Sequence, residues 1–263
     1  MVFLKHHFHI VLFRELSSDI SKKPNVILSF DDGYYNFVEY AMPLLEKHGI
    51  AANMNIIPSC VESGLPPWNI QLYDFLNSAP RQLVNEIRLH GFNYRLNDES
   101  ENSKIRYGLE ISRFLKHRPR IERKELWKEI TSVMEKAPEF QMTRMMTAHD
   151  IQKAAGRHEI GVHSFSHESM GFEDNLFFQD DFRKCFKYFR EVLKLPLSIY
   201  AFPNGSYRHE QIDFLKKEKV KYIVLVDEKF ALHNQQIFPR LTIYGDSFLE
   251  VMFRSLGYKN RNI

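Results

Sequence analysis

Cysteine is scarce in this 263-residue chain: two in all, Cys60 and Cys185. Two thiols so far apart, neither in a CxxC spacing, exclude a disulfide framework, and free buried thiols are the expectation. No run of 18 or more apolar residues occurs, so no transmembrane helix is expected. An excess of one charge sign is missing as well. Lys and Arg number 36 against 33 Asp and Glu, a formal +3, too little to call for a nucleic-acid partner. Internal repeats and low-complexity linkers are absent, and nothing in the sequence speaks to oligomeric state. The opening stretch from Met1 to Arg14 is apolar in places but broken by Lys5, His6, His7 and His9. With no small-residue cleavage site after it, it is a poor secretion signal. The expected location is the cytoplasm, or outside it if the natural start lies upstream.

What is present is globular. An apolar content of 44% with 26% charged residues is that of a folded, water-exposed protein. The length suits one large domain, or one domain with a sizeable insertion. The 22 Phe and 12 Tyr point first to a Phe-rich core and second to aromatic platforms in a sugar-binding cleft.

Apolar runs alternate with helical spacings along most of the chain. Val26–Phe30, Ala52–Ile57, Glu159–His163, Ser198–Phe202 and Tyr222–Val226 read as strands, with Leu241–Tyr244 as a last one. Helical patterns fall at Phe37–Gly49, before Gly156, at Leu176–Leu195 and at 209–219. Such alternation predicts an α/β protein with a parallel sheet covered on both faces. A barrel and an open doubly wound sheet both place their sites at the carboxyl ends of the strands, so the pattern leaves both open. Residues 65–145 break the alternation with amphipathic helices (Ile111, Phe114, Leu115; then Leu126, Ile130, Val133). That stretch reads as a helical insertion within a single domain spanning 1–263. From Arg81 to Lys136 it carries 13 basic and 9 acidic residues, a solvated surface or a contact for an anionic partner.

The chemistry-bearing residues follow strand ends. Asp31 and Asp32 close the run Ser29-Phe30-Asp31-Asp32-Gly33, and His163 and His167 flank Ser164-Phe165-Ser166. Three candidate ligands, Asp32, His163 and His167, leave an open position for water, as a catalytic rather than a structural metal requires. Asp31 is then a spare carboxylate able to act as base. Two imidazoles and one carboxylate suit zinc and also accept cobalt or nickel. Each motif by itself has a plainer reading, since Asp-Asp-Gly is a common turn and histidine pairs are often surface residues. A third strand end leads into Pro203-Asn204-Gly205, whose backbone N–H groups could face a developing oxyanion or simply form a strand-to-helix turn.

Together these motifs resemble those of the polysaccharide deacetylases, carbohydrate esterase family 4. Phe30-Asp31-Asp32-Gly33 looks like the first motif, and Glu159 to His167, with His-Ser-x-x-His, like the second. Tyr200-Ala201-Phe202-Pro203-Asn204-Gly205 looks like the third, and Trp68 like a residue that opens the insertion in some members. The resemblance covers roughly 24–64 and 146–245. It implies a distorted, incomplete (β/α) barrel of about seven strands and a divalent metal, zinc first, on Asp32, His163 and His167. It further implies Asp31 as base, the N–H of Asn204 as oxyanion donor, and an acetylated glycan or oligosaccharide as substrate. N-acetyl groups are expected ahead of O-acetyl groups.

Three departures stand out. Glu168 replaces the proline that usually follows His167. Ala201 stands where many members carry an arginine that orients the base, and Arg240 is the candidate to replace it. The family's Leu-x-His motif, which supplies the general acid, has no clear counterpart: Asp227, Glu228 and His233 follow Val226 without its context. A glycan-binding or scaffolding protein on the same fold is therefore the alternative function. Tyr34, Tyr35, Trp68 and Tyr207 are candidates to stack on sugar rings.

Overall fold

The computed structural model describes residues 1–16, 22–137, 140–232 and 235–258. It divides into two compact units: Met1–Ser63 with Met146–Ile263, and Gly64–Met145.

The larger unit contains eight short strands among its described residues. Two of them, β1 (His9–Ile10) and β2 (Asn25–Val26), pair with each other. The other six are β3 (Ser29–Phe30), β4 (Asn53–Ile56), β5 (Glu159–Val162), β6 (Ile199–Ala201), β7 (Tyr222–Val224) and β8 (Ile237–Phe238). All six are parallel and lie in sequence order. The sheet is curled, a part-barrel of six strands rather than the expected seven or so. Val26–Phe30 is split between the two sheets, because the chain leaves β2 before entering β3.

Alternation along the strands decides inside from outside. Met54, Ile56, Ile160, Val162, Tyr200 and Ile223 join an apolar core with helix residues such as Leu45 and Phe182. The helices carrying them include Met42–Lys47, Ala148–Ala155, Asn175–Tyr188 and His209–Lys217. Much of the phenylalanine content is spent here: Phe178 stacks on Phe202 with centroids 5.8 Å apart. Ile199, Ala201, Val224 and Phe238 form a separate cluster with Phe13. The Glu159 carboxylate accepts the N–H groups of Phe13 and Arg14 at 2.8 and 2.9 Å, which ties the N-terminal segment to the start of β5.

The last strand is not where its sequence pattern suggested. The ladder runs through Ile237–Phe238, and Leu241–Tyr244 forms no strand. The Leu225 N–H still donates to the Phe238 carbonyl at 2.9 Å, but the Leu225 carbonyl then accepts from the Arg240 side chain at 3.2 Å, and the ladder stops there. Cys60 and Cys185 are both free and buried.

The smaller unit is helical: Trp68–Ser78, Arg81–Val84, Glu101–Lys116 and Arg120–Met134. Ile111, Leu115, Leu126, Ile130 and Val133 all enter its core, with Phe114 packed at the edge. Trp68 sits against Trp127 at 5.8 Å between ring centroids. Surface pairs such as Lys136–Glu86 and Lys128–Glu125 lace its charged face.

Candidate metal and catalytic site

Asp31 and Asp32 follow β3 directly, and neighbours on an extended strand would point to opposite sides. The chain solves this by turning: Asp32 adopts φ +75° and Gly33 follows at +75°. Asp32 is therefore folded back beside Asp31. The same left-handed conformation recurs at Ser164 (φ +57°), His167 (+56°) and Asn204 (+55°). Such backbone costs of order 1–3 kcal/mol per non-glycine residue, and here it falls on all three motif loops.

The loops bring Asp32, His163 and His167 together, with one potential ligand atom from each lying within 4.8 Å of the others. Asp32 Oδ1 is 3.6 Å from His163 Nε2 and 3.4 Å from His167 Nε2. These separations exceed ordinary hydrogen-bond lengths. They match the roughly 3.4 Å between two ligands that each stand about 2.1 Å from one tetrahedral cation. Asp32 Oδ1 is also buried with no hydrogen-bond partner, a costly state for a carboxylate oxygen unless a cation satisfies it. The residues present thus fit a divalent metal.

His163 is oriented for the task. Its Nδ1 lies 2.9 Å from the carbonyl of Ala201, which can only accept, so Nδ1 carries the proton and Nε2 keeps its lone pair. The loop between the histidines is held from the helix Asn175–Tyr188. Asp181, buried in that helix, accepts the N–H groups of Phe165 (2.8 Å) and Ser166 (3.1 Å) and the Ser166 hydroxyl (2.6 Å). Burial raises its pKa, and those same three bonds pull it back. Ser164 Oγ in turn accepts the N–H of His167 at 2.8 Å.

Asp31 stands beside the three ligands rather than among them, its Oδ2 3.9 Å from His163 Nε2. Arg240 grips it with both ends of its fork: Nη1 donates to Oδ1 at 2.8 Å and Nη2 to Oδ2 at 2.7 Å. Asn55 Nδ2 donates to Oδ1 as well, at 2.8 Å. Burial alone would raise the Asp31 pKa. The charges of His163 and Arg240 and the hydrogen bonds from Arg240 and Asn55 outweigh it and hold the carboxyl well below the usual carboxylate range. The contribution of His163 exists only while that ring is protonated. Arg240 also donates to Ser29 Oγ at 3.0 Å, so a residue just past β8 closes on β3 at the other edge of the sheet.

Of the residues singled out from sequence, Asp31, Asp32, His163, His167 and Arg240 lie within one contact network. Asn204 occupies the turn after β6, exposed, with its side-chain amide donating to Ser169 Oγ at 3.1 Å. His233 lies outside the described residues. Sequence reasoning missed Ser29, Asn53, Asn55 and Asp181. Asn53 and Asn55 carried a signal, two amides at alternate positions of an otherwise apolar strand. Inside the sheet they are buried and bonded to Ser29, Asp31 and each other. Gly161 makes room for them: a Cβ there would meet Asn55 Oδ1 at 2.2 Å.

Residues 124–236 match the model of the family described as polysaccharide deacetylase, a span that includes both histidines but neither aspartate. No curated protein sequence matches the chain. Among solved structures, a deacetylase of Streptococcus pyogenes, PplD, in complex with acetate, aligns with TM-score 0.59 at 14% identity, over 95% of this chain and 80% of that one. A de-N-acetylase from Aggregatibacter actinomycetemcomitans aligns with TM-score 0.59 at 14% identity, over 95% and 84%. IcaB from Ammonifex degensii aligns with TM-score 0.55 at 14% identity, over 97% and 85%. At such identities the likeness is one of fold. Residues 124–236 thus carry the sequence pattern of the polysaccharide deacetylase family, and over nearly its whole length the chain shares the fold of these solved deacetylases.

Proposed function

We propose that this protein is a metal-dependent hydrolase that removes N-acetyl groups from a polysaccharide or a glycan precursor. The observation that carries the reading is the division of labour between adjacent carboxylates. Asp32 holds an unpartnered oxygen beside the Nε2 atoms of both histidines, while Asp31 is clamped by Arg240 just outside that set. Asp32, His163 and His167 would hold the cation, with zinc the first choice for this donor set and cobalt or nickel the alternatives. A cation bound there supplies Lewis-acid polarisation of the acetyl carbonyl and lowers the pKa of water from 15.7 toward about 7.

The remaining steps fall to the chain itself. Asp31, kept ionised and fixed in one rotamer by the Arg240 fork, takes the proton of the attacking water. Its low proton affinity makes it a weak base, and its use depends on that water being acidified. The backbone N–H of Asn204 is assigned to the carbonyl oxygen as charge develops there, a contribution of roughly 3 kcal/mol for such donors. The amine must leave protonated. We assign that proton to Asp31, which returns what it took, so acetate and a free amino sugar are the products. The absence of an arginine at Ala201 does not argue for a binding-only protein here, because Arg240 performs the clamping.

The test compares Asp31→Asn and Asp32→Asn after zinc loading. Metal analysis and acetate release from acetylated chitooligosaccharides are both read. Asp31→Asn should keep its zinc and lose turnover; Asp32→Asn should lose both. Equal metal loss in the two variants, or no acetate from the zinc-, cobalt- or nickel-loaded wild type on a broad acetylated panel, would sink the reading.

A further inference from the structure

We propose that Tyr207 and Asp227 form a subsite that binds a pyranose ring of the glycan, next to the metal centre and outside its chemistry. The proposal rests on the deacetylase reading above and names how the sugar is held. The two residues follow the neighbouring strands β6 and β7, at the sheet end that also carries Asp31, Asp32 and His163. Ala201, whose carbonyl orients His163, is in register with Val224 at the end of β7. The carbonyl of the next residue, Leu225, accepts from Arg240 Nε at 3.2 Å, and Asp227 lies two positions further on. The turn carrying Asn204 presses on the same segment, since a Cβ on Gly205 would meet Val226 at 2.3 Å.

The chemistry of the pair suits a sugar. A pyranose offers hydroxyl groups at its rim and C–H groups on its faces, so it is held by a fixed aromatic ring and a strong acceptor side by side. Tyr207 is half-buried and backed by Phe202, with centroids 5.3 Å apart at 41°, which fixes the ring from one side. Its hydroxyl donates to Asp227 Oδ2 at 3.4 Å. That is longer than the 2.5–3.0 Å of a well-formed O–H···O bond, and it is the one hydrogen bond to this carboxylate among the described residues. A carboxylate offers roughly four lone-pair sites, so most of the acceptor capacity of Asp227 is left over.

Calorimetric titration of penta-N-acetylchitopentaose into the zinc-loaded protein tests this, using wild type, Tyr207→Ala, Tyr207→Phe and Asp227→Asn. Acetate release and zinc content are measured in parallel. Loss of the ring or of the carboxylate should weaken binding about tenfold, raise KM rather than lower kcat, and leave one zinc per chain. Tyr207→Phe, which keeps the ring, should fall between wild type and Tyr207→Ala. Absence of wild-type binding, unchanged binding in both Tyr207→Ala and Asp227→Asn, or zinc loss in step with affinity would overturn the subsite. Pair-dependent sugar binding without any acetate release would leave the subsite standing and remove the deacetylase reading instead.

Discussion

Arg240→Met removes the clamp on Asp31 while keeping an unbranched apolar stem, and its consequences follow from the two bonds at 2.8 and 2.7 Å. Charge-assisted hydrogen bonds contribute roughly 1.5–3 kcal/mol each. Asp31 is 25% exposed, so solvent compensates part of the loss and about 3 kcal/mol for the pair is a fair figure. Relieved of that partner, the carboxyl should rise toward the usual carboxylate range. The sign for stability is fixed by the depressed pKa in the folded state. Asp31 stabilises the fold above its unfolded value, near 3.8, and that contribution is lost as pH falls through the lower folded value. The variant should therefore be less stable at neutral pH, by about 3 kcal/mol, and should show a weaker loss on acidification. In catalysis, wild type should show no acidic limb from Asp31 in the working range, whereas Arg240→Met should bring one into the ordinary carboxylate range. Its kcat/KM should fall about 100-fold through misplacement of the base, with Arg240→Lys intermediate because it keeps charge but not the fork. The assay is the pH profile of kcat/KM on zinc-loaded enzymes, paired with urea unfolding at pH 7. A wild-type profile and rate in Arg240→Met would refute the assignment of Arg240.

Two further outcomes test the supports of the site. Asp181→Asn turns one of the two oxygens that accept the N–H groups of Phe165 and Ser166 into an NH2 donor, so the His163–His167 loop should loosen. Zinc affinity, measured by competition with a chelating dye, should weaken about 10- to 100-fold as for other outer partners of metal ligands; unchanged affinity would make Asp181 a folding residue only. Gly161→Ala forces a Cβ to 2.2 Å from Asn55 Oδ1 and 2.9 Å from Ile199. The overpacking should cost about 1–3 kcal/mol, visible as a lowered Tm, and a wild-type Tm would show that Asn55 is free to move.

Much of this protein is written locally. The strand runs from Ala52, Glu159 and Tyr222, the helices between them and the two ligand motifs could be read because alternation and helical spacing are short-range patterns. The family resemblance rested on the same local strings. Leu241–Tyr244 misled for the same reason: its apolar pattern was real, but pairing stopped at Phe238, and the Leu225 carbonyl went to the Arg240 side chain instead.

What local pattern could not fix was anything set by the curl of the sheet. Asp31 and Arg240 are 209 positions apart, and only a sheet bent until β8 faces β3 lets one guanidinium span its open edge. Asp181 looks like any helical aspartate until packing buries it under the histidine loop, and the amides of Asn53 and Asn55 gain partners only inside the closed curve. Residue types and the succession of strands and helices along the chain were legible in the sequence alone. Which of those groups share a dry, converging space was decided by tertiary structure, because burial and charge pairing depend on neighbours that the chain brings together only when folded.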